Sequence, residues 1–469
     1  MLFNSFEYFA FFTIVLAVSW LIADWSRLRT WFILLASLYF YYSNNHWQIL
    51  LLLFAATVDY LICLWMQDEK RPGRRKALLS LSLVSNLGLL FYFKYINFFG
   101  ESLQAFANLI GMRLDWIDLN VALPVGISFY TFEALSYTID VYRGEIRAER
   151  NWSKVTFLVS FFPHLIAGPI VRAKFFFPQI GQRPRLSPKT LEIALCLLAM
   201  GLLKKIILAD TLATYADNAF DHAGSIGSLA AWVGVYAFSF QIYFDFSGYT
   251  DIALGSALLL GYRLPQNFNR PYVAVSITEF WRRWHISLSS WLRDYLYISL
   301  GGNRMRTRFG VYRNLILTMF LGGLWHGAAW HFAIWGVLHG VLLAIERALG
   351  LNSDGKFGTL QRLWRGLIIF QVVTFLWIPF RAKSLESVGR ILAEMFAFDG
   401  RTTVTNGLAF AIAVIPLFWL WQLLSERSRI ESTIFGAWLP VKAAAYACIV
   451  IGVLIMSSGP PRAFIYFQF

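Results

Sequence analysis

The chain has 469 residues, of which 58% are apolar and 14% are charged, and its formal net charge is +14. Soluble globular domains average about 45–50% apolar and about 25% charged residues, so this composition excludes a soluble enzyme, a disordered chain and a fibrous protein. The basic residues lie in short links between apolar runs, which is typical of the cytoplasmic loops of membrane proteins. We therefore set nucleic-acid binding aside and expect a protein that crosses the lipid bilayer several times.

The cysteines carry no pattern of a disulfide framework or a metal site. Cys63, Cys196 and Cys448 all lie within apolar runs, and no CxxC spacing occurs. Thiols in such surroundings are usually small buried apolar groups. We therefore expect no bound metal ion and no bound cofactor.

Apolar runs that could enter a bilayer recur along the whole chain. A spanning helix needs about 20 apolar residues. In chain order the candidate segments are Phe6–Ile22, Trp31–Tyr42, Ile49–Trp65, Ala77–Tyr95, Val121–Val141, Val155–Val171, Leu191–Leu208, Ala230–Phe246, Tyr249–Leu260, Leu315–Leu324, Trp330–Ile345, Leu363–Phe380, Leu408–Leu424 and Val441–Met456. No basic region precedes the first run, so we expect a retained span and not a cleaved signal.

Several of these segments are too short to span a bilayer alone. We expect them to be re-entrant, interfacial or packed against other protein, because broken backbone needs polar partners at membrane depth. The pattern predicts an all-α integral membrane protein with about 11 to 14 membrane segments. No repeat or low-complexity linker interrupts it, so residues 1–469 are interpreted as one polytopic membrane domain.

The charges of the links predict the orientation in the membrane. Basic links are cytoplasmic, and the basic links are Asp24–Thr30, Gln67–Lys76 and Arg143–Lys154. The alternate links Ser43–His46 and Lys94–Asn120 hold few positive charges, which places the N-terminus outside. Because the next stretch is also basic, the segment Val155–Val171 is expected to enter and leave on the same side.

Ionisable residues cluster at several places inside the apolar segments. Such residues are costly in a membrane, so they are functional candidates by default. The clusters comprise Glu133 and Asp140, His164 and Arg172, Asp245 and Asp251, and finally His285, His326, His331 and His339. The last cluster holds four of the seven histidines and is the most promising site.

The segment Glu279–Leu296 is strongly amphipathic if it forms one helix. One stripe, within about 120° on the helical wheel, consists of Glu279, Arg282, His285, Ser289 and Arg293. The opposite side consists of Trp281, Trp284, Leu288 and Trp291. Two interpretations remain open: an interfacial helix with its charges in water, or a polar stripe that lines a cavity.

A second wheel singles out one histidine of the segment Leu321–Gly340. His326 lies on a stripe of small residues that includes Gly336 and Gly340, whereas His331 and His339 point to the other side. Small residues either allow a close approach of another backbone or leave volume for a ligand. We therefore expect His326 to face a cavity and the other two histidines to be structural.

A neutral imidazole can take a proton from a hydroxyl group at neutral pH. No GxSxG, P-loop, HExxH or GxGxxG motif accompanies the histidines. The chain thus lacks the signatures of a serine hydrolase, an ATP-driven pump, a zinc protease and a dinucleotide enzyme.

At these residues the chain resembles the membrane-bound O-acyltransferases, within them the bacterial branch that contains the alginate O-acetyltransferase membrane subunit. The start MLFNSFEYFAFF and the end FIYFQF also look like that branch. The stretches that carry the resemblance are LPVGISFYTFEALSYTIDVYRG, FFPHLIAGPIVR, YFDFSGYTDIALGSALLLGYRLPQNFNRPY, TEFWRRWHISLSSWLRDYLYI and GGLWHGAAWHFAIWG.

The resemblance implies a fold and an activity. The fold is a ring of transmembrane, re-entrant and interfacial helices around a central tunnel, with a catalytic core at approximately 121–345. The activity is transfer of an acetyl group from acetyl-CoA toward the hydroxyl groups of an exported polysaccharide such as alginate, at the bacterial inner membrane. An extracytoplasmic acetyltransferase protein would complete the transfer. The histidine of the WHG motif, His326, would be essential, with His285 as its partner.

Other residues are weaker candidates for binding the substrates. Arg282 could hold a CoA phosphate, since guanidinium suits phosphate geometry, or pair with Glu279. Trp325 and Asp245 belong to the same motifs and are candidates on that ground alone. Asn267 and Asn269 could line the site or cap a turn before Pro271, and the turn is the simpler interpretation.

Two other functions fit parts of the pattern. The same motifs would serve the transfer of a D-alanyl or other acyl group from a carrier protein to a teichoic acid or cell-wall polymer. A transporter or flippase of acylated sugars belongs to a different class. Its proton path would run through Glu133, Asp140, Asp245 and Asp251.

Overall fold

The computed structural model describes residues 1–351, 357–398, 413, 415–420, 422–423, 438–456 and 462–465. Every regular element in these ranges is a helix, which confirms the predicted all-α class. The chain divides into two compact units, Met1–Leu191 with Ser256–Pro265 and Glu192–Gly255 with Gln266–Phe469. The predicted segment Leu408–Leu424 falls partly outside the described residues, and the single membrane domain stays a prediction.

The first unit is built from long apolar helices followed by short ones. Its helices are α1 Phe6–Leu21, α2 Ser26–Asn45, α3 Ile49–Asp68, α4 Pro72–Leu90, α5 Ile96–Leu109, α6 Ile127–Arg143, α7 Trp152–Ser160, α8 Phe162–Leu165 and α9 Ala173–Phe176. Single 3-10 or π turns occupy His46–Gln48, Phe91–Tyr95 and Phe177–Gln179.

Helices α3, α4 and α6 pack against one another and bury polar residues between them. The carboxylate of Asp59 on α3 is fully buried and accepts hydrogen bonds from Ser82 Oγ at 2.5 Å and Asn86 Nδ2 at 3.0 Å, both on α4. Hydrogen bonds between helices help to hold membrane bundles together, where apolar contacts do not distinguish protein from lipid. This acid is therefore a structural element of the helix bundle.

Two of the polar clusters meet inside the first unit. His164 Nδ1 lies 3.0 Å from Glu133 Oε1, and the Val171 N–H donates to the same oxygen at 2.9 Å. Both side chains are buried. The predicted segment Val155–Val171 is not one helix but α7 and α8, which are too short to span, as expected for a re-entrant stretch.

The remaining helices lie wholly or mainly in the second unit. These are α10 Pro188–Leu202, α11 Asp210–Asp221, α12 Ser228–Leu259, α13 Ile277–Arg283, α14 Ile286–Trp291, α15 Arg308–His326, α16 Trp330–Ala348, α17 Thr359–Arg381, α18 Leu385–Met395 and α19 Leu439–Met456. Shorter turns of π or 3-10 type occupy Leu203–Ala209, Pro271–Val273, Leu292–Tyr297 and Gly302–Arg304.

The two predicted segments Ala230–Phe246 and Tyr249–Leu260 are wrong as separate elements, because α12 runs through both. Its Gly248 does not break the helix. A Cβ at this glycine would lie 2.8 Å from the carbonyl oxygen of Gly201, so the residue allows α10 to approach closely. The helix is also mostly buried, which stabilises it against interruption.

Five helical stretches of the described residues are long and apolar enough to cross a membrane: Ser26–Asp68, Pro72–Leu109, Ser228–Leu259, Thr359–Arg381 and Leu439–Met456. The first of them holds both α2 and α3, and the chain turns between them at His46, whose φ is 40°. These stretches confirm a multi-pass membrane protein. The count of about 11 to 14 segments, which includes short ones, stays a prediction.

The orientation can be tested at the start of α4. Gly73 is exposed, and no atom would obstruct a side chain there. In a variant whose three cysteines are replaced by serine, Gly73→Cys should resist an impermeant thiol reagent in intact cells and react after lysis, because its link is basic.

Asp118, exposed in the opposite link, provides the matched control. Asp118→Cys should react in intact cells. Labelling of Gly73→Cys and protection of Asp118→Cys in intact cells would show that the orientation is inverted.

Candidate functional site

The expected continuous helix Glu279–Leu296 is wrong, because the chain breaks it at His285. Helix α13 ends at Arg283, Trp284 is extended, and His285 has a left-handed conformation with φ 43° immediately before α14. A left-handed residue interrupts the hydrogen bonds of a right-handed helix. The break turns His285 away from the predicted stripe, and its side chain is fully buried.

Asn267 contacts the His285 ring from the loop after α12. Its Oδ1 lies 3.2 Å from His285 Nδ1, and its side chain is fully buried. The ring of Phe246 on α12 meets the imidazole edge to face, with 4.7 Å between ring centroids. Burial lowers the pKa of His285 to about 3, so its imidazole is neutral at physiological pH. The Asn267 side chain thus contacts His285 and Ser287 and not the turn before Pro271, and a substrate contact of Asn267 stays a prediction.

His326 is the last residue of α15 and lies beside His285. The two imidazole rings are 6.4 Å apart between centroids, and both side chains are buried. The ring centroid of Trp325 lies 5.1 Å from that of His326 and 6.1 Å from that of His285. The structure thus brings together the two histidines and the tryptophan that the sequence singled out.

Aromatic rings surround His326 on further sides. The ring centroids of Trp335 on α16 and Phe380 on α17 each lie 5.3 Å from that of His326, and both rings meet the imidazole edge to face. Phe380 also packs against Trp335 at 5.0 Å. The imidazole therefore lies in an apolar setting in which electrostatic interactions are strong and water is largely excluded.

The small residues of the second wheel serve helix packing. A Cβ on Gly336 would collide with the Met319 carbonyl oxygen, and one on Gly340 would lie 2.6 Å from the Ile316 Cα. Helices α15 and α16 therefore approach closely over a stripe of glycines. Of the two uses that the sequence allowed for small residues, the close approach of another backbone is the one observed.

The other two histidines of the cluster have structural contacts, as predicted. His331 Nδ1 lies 2.9 Å from the carbonyl oxygen of Pro379. His339 is fully buried, and the indole N–H of Trp281 donates to its Nδ1 at 3.3 Å. Their ring nitrogens thus help to join α16 to α17 and α13.

A cavity of about 490 Å³ runs along α14, which begins directly after His285. Its lining includes Arg282, Ser289 and Arg293, three members of the predicted polar stripe. Glu279 of that stripe pairs with Arg283 at 2.7 Å.

The cavity also contains residues that the sequence did not indicate. Arg347, Asn303 and Thr278 line it from α16, from the turn before α15 and from α13. The Arg347 guanidinium donates a hydrogen bond to Asn303 Oδ1 at 2.8 Å. No spacing connects these positions along the chain, because they meet only in the tertiary fold. The arginine-lined cavity thus lies along the helix that begins directly after His285.

Comparison with known proteins decides the family. Residues 36–381 match the membrane-bound O-acyltransferase family, which is more than half of the 469 residues. The chain belongs to this family. It is an integral-membrane O-acyltransferase, so the predicted family, fold class and enzyme class are confirmed.

Three relatives show where this acyltransferase stands within its family. It is 44% identical to a probable alginate O-acetylase of Pseudomonas aeruginosa, over 89% of this chain and 81% of the relative. The identity is 45% to a probable alginate O-acetylase of Azotobacter vinelandii, over 80% of this chain and 74% of the relative. A peptidoglycan O-acetyltransferase of Helicobacter pylori is 37% identical, over 79% of this chain and 74% of the relative.

The family membership decides for an enzyme over the transporter that the intramembrane acids allowed. Several of these acids have partners in this acyltransferase. Lys205 Nζ lies 2.9 Å from both Asp245 and Asp210, Lys204 pairs with Asp251 at 2.6 Å, and the Ile465 N–H donates to Asp245 at 2.8 Å. A substrate contact of Asp245 stays a prediction.

Asn269 lies outside the histidine pair of the acyltransferase. Its backbone N–H donates to the Arg283 carbonyl oxygen at 2.9 Å, and the next residue, Arg270, is left-handed with φ 48° before Pro271. This geometry fits the turn interpretation. Among the described residues, no group of three or more histidine, cysteine or acidic side chains could hold a metal ion.

Proposed function

We propose that this acyltransferase takes an acetyl group from cytoplasmic acetyl-CoA and moves it across the bacterial cytoplasmic membrane for O-acetylation of an exported polysaccharide such as alginate. The observation that carries the chemistry is the buried pair of imidazoles, 6.4 Å apart. The relatives named as alginate O-acetylases support the acetyl group and the polysaccharide.

His326 is the general base in this proposal. It takes the proton of the accepting hydroxyl group, whose oxygen attacks the thioester carbonyl carbon. The C–O bond forms, the C–S bond breaks, and the thiolate leaves with the proton that the imidazole pair has held. His285 orients or shares this proton, or polarises the thioester carbonyl.

The aromatic surroundings of His326 protect the acetyl group during this step. Trp325, Trp335 and Phe380 lie within 5.3 Å of its ring, between centroids. A water molecule at the same place would hydrolyse the thioester, so its exclusion favours transfer over hydrolysis.

The arginine-lined cavity supports a donor that carries phosphate groups. Arg282, Arg293 and Arg347 all line it, and guanidinium groups bind phosphate oxygens through paired hydrogen bonds. The cavity runs along α14, which begins directly after His285, and in this proposal the acyl end of a bound donor extends from there toward the histidine pair. Acetyl-CoA has both the phosphates and the flexible arm that this arrangement requires.

Variants of the cavity test the donor. Arg282→Met and Arg347→Met should each raise the KM for acetyl-CoA by about 10–100-fold, which corresponds to the loss of a hydrogen bond to a charged group. The kcat should change little, because neither residue lies at the histidines. The measurement is the dependence of CoA release on acetyl-CoA concentration, by the protein reconstituted in lipid with its extracytoplasmic partner present.

Arg390 on α18 provides the matched control, since it pairs with Glu386 on the same helix. Arg390→Met removes the same charge and should leave the KM unchanged. An unchanged KM in both cavity variants would show that acetyl-CoA does not bind there.

A carrier protein is the second candidate donor. The exposed residues Arg304, Arg306 and Arg308 directly follow Asn303 of the cavity, and such a basic surface would suit an acidic carrier. In that case the chain would accept a D-alanyl or other acyl group from the loaded carrier, and it would release no CoA from acetyl-CoA.

A further inference from the structure

Three polar atoms contact the oxygen of a single buried amide beside His285. Asn267 Oδ1 lies 3.2 Å from the backbone nitrogen of Ser287, 2.9 Å from Ser287 Oγ and 3.2 Å from His285 Nδ1. The Asn267 side chain is fully buried, so these protein groups take the place of water.

The backbone nitrogen decides which way the amide of Asn267 points. A backbone N–H can only donate, so the atom of Asn267 that faces it must be the oxygen and not the NH₂ group. The His285 nitrogen that faces the same oxygen must then carry a hydrogen, because two acceptors would repel each other. A neutral imidazole has one N–H, so the lone pair of His285 lies on Nε2.

We propose that Asn267 is a positioning residue that holds His285 in the tautomer with hydrogen on Nδ1, so that Nε2 serves as a proton acceptor. The inference rests on the proposed acyl transfer. It decides between the two roles left open for His285: Nε2 takes a proton, either from the accepting hydroxyl group or from His326, and does not polarise the thioester carbonyl.

The proton balance of the step follows from this tautomer. When Nε2 accepts the proton, His285 becomes a transient imidazolium, which burial disfavours and which the hydrogen bond from its Nδ1–H to Asn267 Oδ1 stabilises. The attacking oxygen forms its bond to the carbonyl carbon, and the departing sulfur takes the proton back from Nε2. His285 then returns to its first tautomer.

The local backbone keeps Asn267 and His285 in this arrangement. The Ile286 N–H donates to the Asn267 carbonyl oxygen at 2.9 Å. The main chain and the side chain of Asn267 therefore each accept a hydrogen bond from a backbone N–H at the start of α14. The left-handed conformation of His285 turns its ring toward Asn267. A loss of activity in a variant could therefore reflect a local structural change, and the test must separate the two causes.

The direct test is the tautomer itself. Nitrogen-15 NMR of histidine-labelled protein in lipid should show the His285 signals of a protonated Nδ1 and an unprotonated Nε2, assigned by their loss in His285→Gln. A wild-type His285 with its proton on Nε2 would overturn the proposal. In Asn267→Ala the preference for this tautomer should be lost.

Activity measurements provide the second readout. Asn267→Ala should lower the kcat for acyl transfer by about 10²-fold, the lower range for a lost general base, with the KM for acetyl-CoA unchanged. Asn267→Asp keeps an oxygen acceptor and should retain most of the activity. Ser287→Ala is the matched control, because it removes a hydrogen bond to the same oxygen but keeps the one from His285. In this variant the His285 tautomer and the kcat should stay as in wild type.

The outcomes separate this inference from the proposed function. Inactive His285→Ala and His326→Ala variants together with a fully active Asn267→Ala variant would overturn the positioning role alone. Activity in both histidine variants would overturn the proposed chemistry itself. Equal losses in Asn267→Ala and Asn267→Asp, with the wild-type tautomer in both, would assign Asn267 a purely structural role.

Discussion

Replacing His326 by alanine is expected to abolish acetylation of the polymer while the protein still inserts into the membrane. The proposed base would be lost, and loss of a general base typically costs about 10² to 10⁴-fold in rate. His285 cannot substitute fully, because the two rings are 6.4 Å apart and occupy different positions relative to an acyl group. The measurement is the acetyl content of the polysaccharide together with the rate of CoA release by the reconstituted protein.

His331→Ala is the matched control for this variant. Its ring faces the carbonyl oxygen of Pro379 at 2.9 Å, so its removal should cost some stability but much less activity. Amounts of protein in the membrane and elution from a sizing column report the folding of both variants. Wild-type acetylation by His326→Ala would remove this histidine from the mechanism, and an equally inactive, well-folded His331→Ala would show that a different histidine carries it.

The purified chain alone is expected to transfer almost no acetyl group to the polysaccharide. A polysaccharide needs an extended groove with many hydroxyl contacts. Among the described residues, the longest connection without a helix is 110–126, which is too short to build such a groove. We therefore expect a second, extracytoplasmic protein to take the acetyl group from the histidine site and to choose the sugar hydroxyl.

The experiment compares the reconstituted chain with acetyl-CoA in the absence and presence of candidate periplasmic proteins. Alone, it should show slow hydrolysis of acetyl-CoA or little turnover, because the apolar surroundings of His326 exclude water. Transfer to the polysaccharide should appear when the correct partner is added. Efficient acetylation by the purified chain without any partner would contradict this expectation.

The histidine pair illustrates how far the sequence alone could lead. The wheel of Leu321–Gly340 favoured His326, although the observed helices break between His326 and Trp330 and the wheel assumed no break. The structure places His326 beside His285, but the glycines of its predicted stripe lie on α16, beyond the break, and pack against α15. That His326 faces a cavity stays a prediction. For Glu279–Leu296 the same method failed at His285, because a left-handed residue is stabilised there by contacts from Asn267, which is distant in the chain.

For the long helix α12 the error was the reverse, because a continuous helix was predicted as two segments. We predicted two short segments here, Ala230–Phe246 and Tyr249–Leu260, yet the helix is continuous through Gly248 between them. A glycine weakens an isolated helix by about 1 kcal/mol relative to alanine. Here it allows α10 to pack against α12, and the burial that results compensates for this cost.

The sequence by itself determined the membrane class, the all-helical fold, the family and the two histidines, because composition, apolar run length and local motifs are properties of neighbouring residues. Only the tertiary structure decided the arginine-lined cavity, the aromatic surroundings of His326 and the contact of Asn267 with His285. Arg347 and Arg282 line the same cavity from different helices, and Asn267 meets His285 from the preceding loop. Such contacts depend on how helices pack and where a backbone turns, and these are set by the balance of close approach, burial and hydrogen bonding over the whole fold.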